Sequence, residues 1–323
     1  MLPAEALELL ACPRCTGPLS AGLSCAPCRR RYEAPDGIPD LRIASEGRTE
    51  AVRAFYTAAP FPGYPPHDSL WALRARAGRS DFARALDEAI PGDARVLELG
   101  CGTGQMSLFL ASADRLVLGA DLTRASLVLA VRHARSFQVN AHFVETDLRR
   151  PGVLPGAFDV VIASGVLHHT EDPRASFAAM ARLVRPGGVV VLGLYHAFAR
   201  LPHRLRRAIA RATGYRFIPF DPVLRDRGAE PDRRAAWLRD QYQHVEEHRH
   251  TLSEVRGWFR ENGVDYLRAF PSTLLDEEPP RGGALFTAAA DDWPLENLLA
   301  QCRWAAALGR EGGLFVTVGR RRA

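Results

Sequence analysis

The sequence contains no lysine: all 42 of its basic residues are arginine, set against 37 acidic ones for a formal net charge of +5. Such uniform usage, beside abundant Ala and Pro, reads first as genomic base composition. Its functional alternative is a surface for phosphate or nucleic acid, because guanidinium forks match phosphate oxygens. The charge excess is modest for a chain of 323 residues. Long apolar runs are also missing. The longest, Gly187–Tyr195, falls well short of the ~20 residues of a membrane-spanning helix and suits one buried strand. The first residues lack the basic-then-apolar pattern of a secretory signal. The expectation is a cytoplasmic protein with no membrane partner. With 47% hydrophobic and 24% charged residues, a disordered or fibrous chain is excluded. The length predicts one large domain with additions, or two domains.

Cysteine is scarce, and the placement of the six residues carries the information. Cys12-Pro-Arg-Cys15 and Cys25-Ala-Pro-Cys28 are two CxxC knuckles separated by nine residues. That spacing brings four thiolates around one tetrahedral zinc ion. The alternatives are two disulfides, disfavoured in a reducing compartment, or a redox CxxC, which needs no second copy. Four thiolates close the coordination shell, so such a zinc is structural. Cys101 and Cys302 are left over. Residues 1–43 read as a small module, with a helical start at Ala4–Leu10. The two knuckles and the exit Gly37-Ile38-Pro39-Asp40-Leu41 resemble the zinc ribbons of small activator subunits that partner tRNA- and ribosome-associated methyltransferases.

Residues 44–80 are expected to be irregular. Ala59-Pro60-Phe61-Pro62-Gly63-Tyr64-Pro65-Pro66 disfavours helix, and the stretch is either a tether or an arm that closes a site. From residue 81 strands alternate with helices. Strands are predicted at Arg95–Leu99, Leu116–Ala120, Ala141–Glu145, Phe158–Ala163 and Val189–Leu194. Helices are predicted at Asp81–Ile90, Gln105–Ala113, Thr123–Phe137 (Thr123 as N-cap) and Arg174–Val184. Alternation of this kind implies a parallel sheet covered on both faces. An arginine-rich helical stretch at 196–250 interrupts the rhythm. Helix Ser253–Asn262 and strand Val264–Phe270 follow, then an excursion over 271–312 with a helix near Pro294–Leu308, and a last strand at Leu314–Val318.

Glu98-Leu99-Gly100-Cys101-Gly102-Thr103-Gly104 falls at a strand-to-helix turn, where glycines admit a ligand to the backbone and a helix start offers free N–H groups. Gln105 stands where a dinucleotide fingerprint needs glycine or alanine. The acid followed by GxGxG instead resembles the first motif of class I S-adenosylmethionine (SAM) methyltransferases. Asp121-Leu122 at the end of the second strand, Asp147-Leu148 after the third, Ser164 and the loop Gly165–Pro173 after the fourth, and Arg185-Pro186-Gly187-Gly188 resemble that family too. The resemblance spans about 81–195 and resumes over 251–270. It implies a Rossmann-like α/β fold, a seven-stranded sheet of order 3-2-1-4-5-7-6, with the ribbon at the N-terminus and a helical cap inserted at 196–250. It also implies a cofactor site of Glu98, Gly100, Cys101, Gly102, Gly104, Asp121, Leu122, Asp147, Leu148 and Ser164. Asp121 would take the ribose diol and Asp147 the adenine amino group. The whole chain further resembles a bacterial methyltransferase group with an N-terminal zinc ribbon, through the Pro-Phe-Pro-Gly-Tyr arm, Gly193-Leu194-Tyr195 and Asp240-Gln241-Tyr242-Gln243-His244. It departs from that group at His196, where Asn is usual, and at Val245, where Pro is.

Methyl transfer from a sulfonium needs alignment and, for a protonated acceptor, a base. The candidates are His168 and His169 beyond the fourth strand, and Tyr195 and His196 at the end of the fifth. His244-Val245-Glu246-Glu247-His248 matches a short metalloprotease pattern; its plainer reading is polar lining of the cap. Of the ten arginines in 203–239, Arg204, Arg207 and Arg211 share a helical face, either solvated or recognising an anionic acceptor. No Asn-Pro-Pro-aromatic motif follows the fourth strand, which weakens a nucleobase-amine acceptor. The expected activity is methylation of an O, N or C atom of a small molecule. The alternatives are an RNA methyltransferase, with Phe61, Tyr64 and Trp71 as stacking candidates, and a non-catalytic partner subunit.

Overall fold

The computed structural model describes residues 2–44, 47–63, 68–225, 231–244, 247–274, 277–290, 293–308 and 312–323. Tyr64, Val245 and Glu246 of the motifs above lie outside them. In chain order the ribbon holds α1 (Ala4–Leu7), β1 (Ser24–Cys25) and β2 (Arg30–Arg31). The arm holds α2 (Arg48–Ala58) and α3 (Leu70–Ala77), and α4 (Asp81–Ala89) leads into the alternating part. That part comprises β3 (Arg95–Leu99), α5 (Gln105–Ala111), β4 (Leu116–Asp121), α6 (Arg124–Phe137), β5 (Ala141–Glu145), β6 (Phe158–Ser164), α7 (Pro173–Ala181) and β7 (Val184–Tyr195). The cap contributes α8 (Leu201–Ala212), α9 (Pro222–Arg225) and α10 (Pro231–Leu238). The chain then completes α11 (Leu252–Glu261), β8 (Val264–Phe270), α12 (Pro294–Ala307) and β9 (Leu314–Arg321).

The sheet order is β5-β4-β3-β6-β7-β9-β8, with β9 antiparallel to both neighbours. This is the Rossmann-like α/β arrangement expected from the sequence. Its central strands are apolar on both faces because helices cover both; β3, β4 and β6 are almost wholly buried. Strand order reverses between β3 and β6, which opens a crevice beyond their carboxyl ends.

The arm departs from expectation. Its prolines lie between two helices rather than preventing them, and Ser69 caps α3 by accepting from the Ala72 N–H. Strand β7 begins at Val184, five residues before its predicted start, because Pro186–Gly188 forms an irregularity inside the strand, with Gly187 at φ 75°. Thr123 stands at the N-cap of α6, but its hydroxyl bonds the side chains of Asp121 and Ser126 rather than a helix N–H.

The ribbon is built into the main body. Pro39 and Leu41 exchange backbone hydrogen bonds with Glu145 (2.9 and 2.8 Å), so the Ile-Pro-Asp-Leu exit pairs with edge strand β5. Ala11 N–H reaches Gly152 O at 2.9 Å, and Leu154 N–H reaches Leu9 O at 2.8 Å. Leu9, Leu10, Cys12, Leu23 and Leu41 share one core with Leu97, Leu99, Val161 and Leu192 of the sheet. Gly152 lies where a Cβ would meet the Leu41 side chain at 2.6 Å.

The shared core makes a prediction. Leu10→Ala removes a fully buried side chain and should cost about 2–5 kcal/mol in chemical denaturation, as a central-strand substitution would. A loss below about 1 kcal/mol would mean that the ribbon is only tethered.

Candidate functional site

The carboxyl ends of the five parallel strands, the arm and the cap enclose a cavity of about 640 Å³. Along the sheet it meets Asp147-Leu148 after β5, Asp121-Leu122 at β4, Gly100–Gly102 after β3, Ser164 and Gly165 after β6, and Tyr195 at the end of β7. The sequence of the strand ends thus sets the order of the site.

The glycine turn is sterically dictated. Gly102 has φ 53°, and a Cβ there would lie 2.2 Å from the Phe61 carbonyl oxygen. The arm is latched to the same turn: Thr103 N–H donates to Phe61 O (3.3 Å), the Thr103 hydroxyl to Pro62 O (2.5 Å) and the Gln105 amide to Gly63 O (3.0 Å). Gly104 does not line the cavity. It opens α5 at φ 81° against Ala130 and Phe143.

Asp121 accepts from Gly102 N–H (2.8 Å) on Oδ2, and from Thr123 N–H (2.8 Å) and its hydroxyl (2.5 Å) on Oδ1. Burial pushes its carboxyl up and these bonds oppose the shift. Asp147 accepts from Arg149 N–H at 2.9 Å and from its guanidinium at 3.0 Å. Glu98 receives the Ser107 hydroxyl, and burial pushes its carboxyl up to about 7. Cys101 lines the cavity, its thiol pushed up by burial.

The four catalytic candidates separate. His169 and Tyr195 line the cavity; His168 and His196 do not. His168 is fully buried, stacks on the Tyr195 ring at 3.9 Å and accepts the Tyr195 backbone N–H on Nδ1 at 3.3 Å. Its lone pair is therefore spent, and burial, then the charges of His169 and Arg200, hold its pKa well below the usual histidine value. His196 departs further from expectation. Nε2 faces Gln301 Oε1 at 2.9 Å, Nδ1 accepts from Ala199 N–H, and Phe198, Trp304 and Phe315 surround the ring. Apolar packing behind β7 holds it away from the cavity.

The cap supplies Arg200, which motif reading missed. Arg200 is fully buried. It donates to Glu247 (2.9 Å), to Gln241 Oε1 (2.7 Å) and to Gly312 O (2.7 Å), and lies 3.7 Å over the Tyr195 ring. Gln241 in turn donates to the Tyr195 hydroxyl at 2.8 Å. Burial pushes that phenol well above its usual range, so it stays protonated. Arg207 bonds Tyr242 O, His244 O and Glu247, whereas Arg204 and Arg211 are exposed and outside the cavity. The arginines that do line it are Arg48, Arg53, Arg76 and Arg149. Arg48, Arg53 and Arg76 stand in no motif, and Arg149 follows Asp147-Leu148. Phe61 lines the cavity, while Trp71 is 79% exposed. The His-x-x-Glu-His stretch does not converge: His244 packs on His169, Glu247 holds two arginines, and His248 N–H reaches His168 O.

Among the described residues, the group of side chains arranged as metal ligands is Cys12, Cys15, Cys25 and Cys28, whose sulfurs lie within 4.8 Å of one another. Cys12–Cys28 and Cys15–Cys25 are 3.9 and 3.5 Å apart.

Glu247 carries a pH prediction. Burial raises its carboxyl, but Arg200 and Arg207 more than offset this, so it sits below the ordinary value. A depressed carboxyl stabilises the fold above its unfolded pKa, and that stability is lost as the pH falls through the folded value. Glu247→Gln should therefore lower the thermal midpoint at pH 7 and narrow the gap to the parent below about pH 4. A gap that stays constant down to pH 3 would contradict the ion pair.

Residues 96–188 match the family model described as "Methyltransferase domain". An uncharacterized protein of Synechococcus is 28% identical over 249 residues, covering 68% of this chain and 59% of the relative. A ubiquinone biosynthesis O-methyltransferase of Ralstonia nicotianae is 36% identical over 107 residues, 33% of this chain and 45% of the relative. The chain thus spans about half the length of these curated relatives. A magnesium protoporphyrin IX methyltransferase of Synechocystis, solved with S-adenosylhomocysteine, superposes with a TM-score of 0.50 at 16% identity, covering 85% of this chain and all of that one.

Proposed function

We propose that the chain, whose residues 96–188 match a methyltransferase-domain model, is a class I, SAM-dependent methyltransferase that transfers a methyl group to an O, N or C atom of a small molecule held in the cavity. The observation that carries this reading is the chamber itself. Its 640 Å³ fall within the ~300–1,000 Å³ of small-molecule sites. The adenosine carboxylates sit at one end of the strand series, and His169 and Tyr195 at the other. The O-methyltransferase name of the curated relatives favours an oxygen acceptor.

The donor set fits SAM. Asp121, on the turn side of β4, would hold the ribose diol; Asp147 and Leu148 would hold the adenine edge and face; the Gly100–Gly102 backbone, which lines the cavity, would meet the amino-acid tail. When bound, SAM supplies an electrophilic methyl carbon. The chain supplies alignment and proton handling. Tyr195, clamped by Arg200 and His168 and accepting from Gln241, keeps its own O–H to donate to the acceptor. His169 faces the cavity beside Tyr195, their ring centroids 5.8 Å apart, and would pack against the acceptor. Phe61 and Pro62 cover the glycine turn and exclude water.

The ribbon cysteines suit a structural zinc. Zinc–sulfur bonds near 2.3 Å place tetrahedral sulfurs about 3.8 Å apart, close to the spacing here. Its packing into the sheet core supports a bracing role. The exposed Arg29–Arg31 support the second reading, an RNA acceptor.

Isothermal titration with SAM tests the assignment. Asp121→Ala should weaken binding about 10-fold or more, because a charged hydrogen bond is worth roughly 1.5–3 kcal/mol. Unchanged affinity would contradict the ribose assignment. Bulk tRNA at low salt should give no heat; salt-sensitive heat would put an RNA acceptor first.

A further inference from the structure

The cap brings to the cavity a carboxylate, the first residue of the Asp240–His244 segment, that has no role in the cofactor site described above. Asp240 lies on the π-helical turn Arg239–Gln243, is 5% exposed and lines the cavity. Insertions of this kind in a helix frequently mark functional positions. Its Oδ1 accepts from the Tyr56 hydroxyl on α2 at 2.9 Å, and its Oδ2 from the Gln241 amide at 2.7 Å. Both partners are neutral, and no guanidinium lies within ion-pair distance of it among the described residues. Burying a carboxylate without a cation is costly. Burial pushes its carboxyl up, against the Tyr56 and Gln241 bonds and the charges of His244 and Arg200.

The walls around it are rings: Tyr56, Phe61, His169, Tyr195 and Trp237 line the same cavity. Tyr195 is fixed by the Arg200 guanidinium at 3.7 Å and the His168 ring at 3.9 Å. A flat acceptor stacks favourably among such rings. The acidity of the acceptor follows from the base. A carboxylate can relieve a phenolic hydroxyl, whose pKa is near 10, far more readily than an aliphatic alcohol.

We propose that Asp240 takes the proton from a hydroxyl group on an aromatic acceptor as that oxygen is methylated. The proposal rests on the methyl-transfer reading above. The acceptor O–H bond breaks and its proton passes to the Asp240 carboxylate. The freed electron pair forms the O–CH3 bond, and the S–CH3 bond breaks with its pair returning to sulfur. A buried sulfonium and a buried carboxylate both become neutral in one step, so charge is annihilated where solvent is excluded. Tyr56 and Gln241 hold the carboxylate in place before the step, and joining α2 to the cap closes the chamber around it.

The test uses the full chain, radiolabelled SAM, and two probes that differ in acidity, phenol and 4-nitrophenol. The parent protein should methylate both. Asp240→Asn should keep SAM affinity within about 3-fold by titration calorimetry while losing about 10²–10⁴-fold in phenol methylation. Its loss on 4-nitrophenol should be at least 10-fold smaller, because the more acidic probe needs the base less. Asp240→Ser should show the same split where the Asn variant is unstable. Equal losses on both probes would show that Asp240 only positions neighbours, and would overturn the proposal. SAM binding without methylation of either probe by the parent would overturn the acceptor class. A parent that does not bind SAM would overturn the methyl-transfer reading instead.

Discussion

A single buried guanidinium holds the acceptor end of this molecule together. Arg200 has no exposed surface, so its charge is tolerable only if every donor is engaged. Glu247 takes the charge, Gln241 and the Gly312 carbonyl take further donors, and the Tyr195 ring takes its flat face. These partners come from four distant parts of the chain: the end of β7, the π-helical turn, the stretch before α11 and the approach to β9. The ion thus ties the π-helical turn and the stretch before α11 to the end of β7. With it, Gln241 is aimed at the Tyr195 hydroxyl and Asp240 is turned toward Tyr56 of the arm.

The glycine-turn end of the cavity obeys a different constraint. There Gly100 and Gly102, at positive φ, lie so close to Val166 and to the Phe61 carbonyl that a side chain would not fit. The same turn also receives the arm, through Thr103 and Gln105. The chamber is therefore closed from both sides by elements that do not belong to the alternating sheet.

The sheet and the glycine turn after β3 are legible because their signals are local. Arg95–Leu99, Ala141–Glu145 and Val264–Phe270 have the bounds that their apolar runs predict, and β9 and β8 complete the expected order. Asp121 and Asp147 follow their strands at fixed offsets. What escaped depends on distant contacts. Tyr56 and Asp240 are 184 residues apart, and no periodicity links them. The arm was read as irregular because prolines dominate its middle, yet Ser69 and the flanking residues specify two helices. The ribbon's cysteines form a unit and so mark a module in the sequence, whereas its leucines belong to the sheet core. His196 was placed at the site by its position after Tyr195; the alternation of a strand end turned it inward to Gln301.

The account turns on where the two ends of a bound nucleoside lie. A crystal structure with S-adenosylhomocysteine tests this most directly. The account predicts the ribose diol on Asp121, the adenine beside Asp147 and Leu148, and the sulfur directed toward His169, Tyr195 and Asp240. A sulfur pointing away from those three residues, or a ribose held elsewhere, would contradict it.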